Sequence, residues 1–114
     1  MSTIERPLKR IDLLRHELKA LRYILDNLHA ERFAREDLPA REDFTADQTR
    51  VIYDVIIAAP SRAMAEAEIG GLELDDVDIA SFLRLSGDHY YSYPALVRQR
   101  AAALRRGELA IEAA

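Results

Sequence analysis

Leu8-Lys9-Arg10-Ile11-Asp12-Leu13-Leu14-Arg15-His16-Glu17-Leu18-Lys19-Ala20-Leu21-Arg22-Tyr23-Ile24-Leu25-Asp26-Asn27-Leu28 decides the class of fold. Leu8, Ile11, Leu14, Leu18, Leu21, Leu25 and Leu28 recur 3, 3, 4, 3, 4 and 3 residues apart, close to a heptad seam. Leu13 and Ile24 widen the stripe, as in a helix packed within a globular bundle. Asp12, His16 and Glu17 are read as polar groups on the outer face. The stripe therefore fits a core helix, with a coiled-coil dimer seam as the sharper alternative. The helix is predicted from Pro7 to Glu36. Leu38-Pro39 stops it, because the residue before proline disfavours the α region.

Downstream, helix signals repeat at short intervals. Thr45 reads as an N-cap with Gln48 at N3, the capping-box spacing, and Asp47 suits the positive end of the helix dipole. That second helix is expected to bury Val51, Ile52, Val55 and Ile56 and to end at Ala59-Pro60. Residues 51–57 are the one stretch with strand character, and the Thr cap favours helix there. Ser61 caps a third helix that Gly70-Gly71 breaks. Asp75 or Asp76 caps a fourth, with Val77, Ala80, Phe82 and Leu83 on its apolar side and Gly87 as a left-handed C′ residue. Pro94 suits the first turn of a fifth, which carries Leu96, Val97, Ala101 and Leu104 and ends near Gly107. The expected fold is all-α: a single small bundle of five or six helices with a long first helix, over residues 1–107. Residues 108–114 form a tail that adds a turn or frays.

The 114 residues suffice for one modest core, and 49% hydrophobic with 32% charged residues is globular composition. Four glycines and four prolines favour long helices over turn-rich sheet. The absence of cysteine excludes disulfides, thiolate metal sites and cysteine nucleophiles, and fits a reducing compartment. No apolar run reaches the roughly 20 residues that span a bilayer. The start, Met1 to Pro7, lacks the apolar run of a secretory signal, so a cytoplasmic location and no membrane association are expected.

Charge is segregated along the chain: +2 over residues 1–36, −8 over 37–93 and +2 over 94–114. An acidic middle argues against direct nucleic-acid binding, which needs a contiguous basic face. The two basic ends could instead pair with the acidic middle of a second copy. Asp75, Asp76 and Asp78 lack the bidentate glutamate that closes a calcium loop, and His16 and His29 do not form a His-x3-His pair, so no metal, cofactor or small-molecule substrate is expected.

A likeness rests on separated anchors. Leu25-Asp26-Asn27 ends the leucine-rich helix, which also carries Glu17. Glu42-Asp43-Phe44 follows, then five residues, Arg50, and the Ile52-Tyr53 pair. In order and spacing this resembles the N-terminal domain of DnaB-type replicative helicases, related to the helicase-binding domain of bacterial primases, over residues 17–57. The resemblance implies a helical module that self-associates or docks on a replication partner. Phe44 would lock the loop onto the first helix, and Tyr53 would face the same core. No Gly-x-x-x-x-Gly-Lys-Ser/Thr motif is present, so an ATPase motor is excluded on this chain.

Two clusters carry the site expectations. Tyr90, Tyr91 and Tyr93, extended by Arg98 and Arg105, are read as partner-binding, because tyrosines are large, stiff and amphipathic at interfaces. Arg84, His89 and Tyr91 fit an Arg-x4-His-x-Tyr string resembling the motif of HEPN-type ribonuclease toxins, small all-α proteins. There His89 would act as acid and base and Arg84 would stabilise the phosphorane. Leu85, where that family has a polar residue, and Gly87, expected to end a helix between Arg84 and His89, depart from that pattern. The sequence thus favours a non-catalytic protein–protein interaction module that binds a protein partner or itself as a homo-oligomer. The alternatives are a metal-independent ribonuclease and a small helical regulator unrelated to replication.

Overall fold

Eighteen residues, Arg10–Asn27, form α1, the axis on which the rest is assembled. The structure, a computed structural model, describes residues 7–30 and 33–112. The chain start that was read for a signal, two residues of the expected first helix and the last two residues of the tail lie outside these. α2 spans Asp47–Ala58, α3 Arg62–Gly70, α4 Ile79–Arg84 and α5 Tyr93–Arg105. Short 3-10 turns cover Arg35–Asp37, Arg41–Asp43 and Gly87–His89. The described chain is all-α, and each of the other α-helices packs on α1.

α1 buries Leu13, Glu17, Ala20, Leu21, Ile24 and Leu25, followed by Leu28 just past its end. The heptad row predicted from sequence only half coincides with this face. Leu21, Leu25 and Leu28 reach the core, Leu14 and Leu18 lie at its edge, and Ile11 is 50% exposed. A straight helix drifts by about 20° per heptad against a 3.5-residue repeat. The row therefore turns into the core at its C-terminal end and leaves it at its N-terminal end.

α1 also stops nine residues earlier than expected, at Asn27 rather than Glu36. No proline forces that stop. Asn27 Nδ2 donates to Tyr23 O at 2.8 Å. The Asp26 carboxylate is held at once by Arg22 Nη2 (2.9 Å), by Arg62 Nη2 of α3 (2.9 Å) and by Gly87 N (2.9 Å). Arg22 is only 4% exposed, so this carboxylate balances a buried guanidinium. The helix end is fixed by tertiary partners, not by a local breaker.

Gly87 sits tightly against that end. A Cβ there would meet Arg22 O at 2.9 Å and Tyr23 Cα at 3.1 Å, both on the α1 backbone. The expected left-handed C′ role is not what it performs: α4 ends at Arg84 with Leu85 as its cap, and the positive φ belongs to Gly107 (75°), just past α5. Gly87→Ala is expected to cost about 1–3 kcal/mol in a urea titration, the scale of overpacking a close contact. A neutral result would mean that the 87–89 turn moves away freely.

The caps follow sequence in part. Ser61 Oγ accepts from Met64 N at the start of α3, and Pro94 stands in the first turn of α5. The capping box at Thr45 does not form. Ala46 occupies the cap position, Thr45 donates its hydroxyl to Glu17, and Gln48 exchanges hydrogen bonds with Asp76 (3.1 and 2.9 Å). With Asp76 so engaged, α4 is capped by Asp78 rather than by Asp75 or Asp76. The Asp78 carboxylate accepts from Ser81 N and Oγ, bonds that hold its carboxyl below the usual range.

α2 buries Thr49, Ile52, Tyr53 and Ile56, whereas Val51, expected inside, is exposed. Phe44 is fully buried against Tyr53, their ring centres 4.8 Å apart. Tyr53 Oη donates to Pro39 O at 2.5 Å, tying the loop to α2. Burial first, then the Asp43 and Asp54 carboxylates, push this phenol up to about 12 from 10.0. A folded-state value above the unfolded one favours unfolding once the unfolded phenol ionises. Stability is therefore expected to hold below pH 10 and to fall as pH rises from 10 towards about 12. Urea midpoints across that range should show the slope in the wild type and a shallower one in Tyr53→Phe; identical slopes would refute the assignment.

The first and last described segments are joined. Leu8 N donates to Ala110 O (2.7 Å) and Glu112 N to Leu8 O (2.8 Å), making one isolated parallel bridge between Leu8 and Ile111. The stretch read as a turn or frayed tail pairs beside Leu8, just before α1, and Ile111 lines a depression together with Ile11.

Candidate interaction surface

Ile11, half exposed, lines two depressions. One, of about 340 Å³, is walled by Arg10, Ile11, Leu14, Gln48, Asp76 and Ile111 among others. The other, of about 320 Å³, is walled by Leu14, Arg15, Leu18, Asp78, Phe82 and Leu85 with Ile11 and Asp76. The two share Ile11, Leu14 and Asp76, so they form one groove along α1, facing the 74–78 segment and α4. Its floor is aliphatic and aromatic. Its α1 rim carries Arg10 and Arg15, and its opposite rim carries Asp76 and Asp78. Among the described residues neither Arg10 nor Arg15 makes an ion pair. The sequence signal for this surface was the same row read as core; the periodicity was right and the burial was assigned to too many of its members.

The residues singled out as partner-binding lie on other flanks. Tyr90 and Tyr93 meet edge to face at 5.5 Å, and Lys19 Nζ sits 5.5 and 5.4 Å from their ring centres, within cation–π range. Tyr93 also stacks at a tilt on His16, 5.6 Å away. Arg100 donates to His16 Nδ1, which places the imidazole proton on Nε2. Burial first, then the Arg100 and Lys19 charges, hold His16 below the ordinary imidazole range against the pull of Asp12. Tyr90 and Tyr93 thus fasten α5 to α1, while Tyr91 alone projects outward, 74% exposed. Arg98 donates to Asp37 O (3.3 Å) and Arg105 pairs with Asp43 (3.1 Å). The two arginines share the wall of a shallow depression of about 400 Å³ along α5, with Ala95, Gln99 and Ala102 between them.

Arg84 closes α4, and His89 lies beyond the break in the next 3-10 turn, so one helix does not carry both. Arg84 Nη2 donates to Ser81 Oγ at 3.2 Å, and both side chains are exposed. The cavity beside α4 is walled by Ser81 and Leu85 and not by Arg84.

One functional-looking group escaped the sequence. Glu17, expected on the outer face, is 3% exposed. Its carboxylate accepts from Thr45 N (3.0 Å), Thr45 Oγ1 (2.5 Å) and Thr49 Oγ1 (2.7 Å). All of its visible partners are the chain's own, at the positive end of α2, so it holds two helices together. Its position midway between Leu13 and Leu21 on the helical wheel was the signal: an acid at the centre of an apolar face needs buried donors.

Among the described residues no helix is long and apolar enough to cross a membrane, and no three His, Asp or Glu side chains group as metal ligands do. Searches against protein-family models, curated proteins and solved structures gave no match to this chain.

Proposed function

We propose that the chain is a non-catalytic helical interaction module whose binding surface is the groove along the N-terminal half of α1. The observation that carries this is Ile11: a large aliphatic side chain half in water that lines two depressions, beside Leu14, Leu18, Phe82 and Leu85. Apolar surface with a polar rim is the common anatomy of a docking site. The resemblance of residues 17–57 to helicase N-terminal domains supports a replication helicase or primase as the setting. A regulator outside replication would use the same groove for a different chain.

The test is a photo-reactive benzoyl-phenylalanine at position 11, in the full chain, irradiated inside the source cells. A discrete protein adduct is expected. A helicase or primase in that adduct supports the replication setting, and another protein removes it while keeping the module. Loss of any adduct above the level seen with the probe at exposed Ala63 would overturn the reading. Cleavage of RNA by the purified chain, abolished in a folded His89→Ala variant, would put the ribonuclease alternative ahead.

A further inference from the structure

We infer that the occupant of the α1 groove is a second copy of this chain, paired about a two-fold axis that runs along the groove, so that the two Ile11 side chains pack together between the charged rims. The inference rests on the interaction-module reading and adds the identity of the partner. Three features of the surface point to self-pairing. The apolar side chain and the depressions belong to one patch. Ile11 lines both a depression of about 340 Å³ and one of about 320 Å³. Each exceeds the roughly 150 Å³ that accommodates a benzene-sized apolar group. A two-fold interface requires such self-complementarity, because both subunits present the same surface.

The rims carry opposite charges on opposite sides. Arg10 and Arg15 line the α1 side, and Asp76 and Asp78 line the facing side. A partner of uniform charge would be attracted by one rim and repelled by the other. A copy turned about an axis along the groove places its arginine rim against this chain's aspartate rim, and the reverse, so both contacts are attractive. The same complementarity is written along the chain, with basic residues concentrated in the first segment and acidic ones in the middle.

Gln48 on the wall is neutral and already engaged with Asp76. Asp78 keeps one oxygen on each Ser81 donor and still presents its negative charge outward. The aromatic cluster at Tyr90 and Tyr93 lies on another flank of α1 and is not required.

The experiment is light scattering of the full chain over a micromolar-to-millimolar series, with three variants whose fold is checked by thermal melting. The wild type is expected to approach twice the chain mass. Ile11→Asp, at an exposed position, should remain at the mass of one chain throughout. Arg15→Glu and Asp76→Lys should each raise the dimer Kd about tenfold or more, because both symmetry-related charge pairs turn repulsive. Mixed in equal amounts they should recover dimers, because each mixed dimer holds one native and one reversed pair. A wild type that stays monomeric overturns self-pairing; a position-11 adduct with another protein would then leave the module reading standing, and the lack of any adduct would end both. A dimer unmoved by Ile11→Asp also overturns it, by placing the contact elsewhere. Charge variants that never rescue each other overturn the two-fold pairing of rims.

Discussion

Glu17→Ala is expected to destabilise the fold by about 3–5 kcal/mol, more than any other single polar change. The carboxylate is buried and satisfies three donors on the loop and first turn that begin α2. Removing it strands Thr45 N–H and two hydroxyls in the interior, at about 1–3 kcal/mol for each donor left without a partner, less what the hydroxyls regain by rotating. Thr49 is partly insured, since its one hydroxyl proton can turn to Ala46 O, 2.9 Å away, once Glu17 is gone. Against a typical total of about 5–15 kcal/mol, such a loss takes up a large part of the stability. Glu17→Gln should cost less, because one amide oxygen still accepts while the NH₂ faces a donor. Urea unfolding of the three proteins checks the order. An Ala variant within about 1 kcal/mol of wild type would mean that water or a shift of α2 replaces the network.

Glu17 also shows where sequence reading stopped. Rows of apolar residues identified the helices, and Pro60, Ser61, Pro94 and Gly107 marked boundaries correctly because each acts within a few residues of itself. Proline lacks an N–H, a serine oxygen reaches the third N–H, and glycine accepts a positive φ. Features set by distant partners were not legible. α1 ends at Asn27 because Asp26 is drawn to Arg62 and Gly87, residues 36 and 61 positions away. Asp78 displaced its neighbours as cap once Asp76 was taken by Gln48, 28 positions back. The groove lay between these cases. Ile11 and Leu14 carried the right period, but no local signal says which end of a seven-residue row leaves the core.

The same asymmetry bears on function. A row that drifts out of the core exposes apolar surface next to the residues that drift in, without any special sequence. The groove at Ile11 and the core at Leu21 and Leu25 are therefore two ends of one pattern. A variant at Ile11 should alter association while leaving stability near wild type, whereas an equivalent change at fully buried Leu21 should prevent folding. That separation lets the binding proposal be tested in a folded protein.

Phe44→Ala is expected to cost about 3–5 kcal/mol, as large aromatic truncations in a core do. The ring is fully buried, in contact with Tyr53, while its own carbonyl receives Arg50 Nε at 2.9 Å. Phe44 therefore holds the 38–46 loop at both its side chain and its backbone, and through Tyr53 Oη that loop is tied again at Pro39. Removal opens a cavity beside the phenol and admits water to it. Tyr53 should then ionise at lower pH than its present value of about 12, since burial is the leading cause of the shift. Phe44→Leu, which keeps most of the volume, should cost under about 1.5 kcal/mol and leave the phenol high. Urea unfolding gives the first quantity, and the alkaline absorbance titration of the last tyrosine to ionise gives the second. A small stability loss with an unmoved phenol would show that the loop is held by the Pro39 and Arg50 hydrogen bonds alone. A large loss accompanied by the downward shift would make Phe44 the anchor that joins the loop to α2, and with Glu17 it would account for how α2 is fixed on α1.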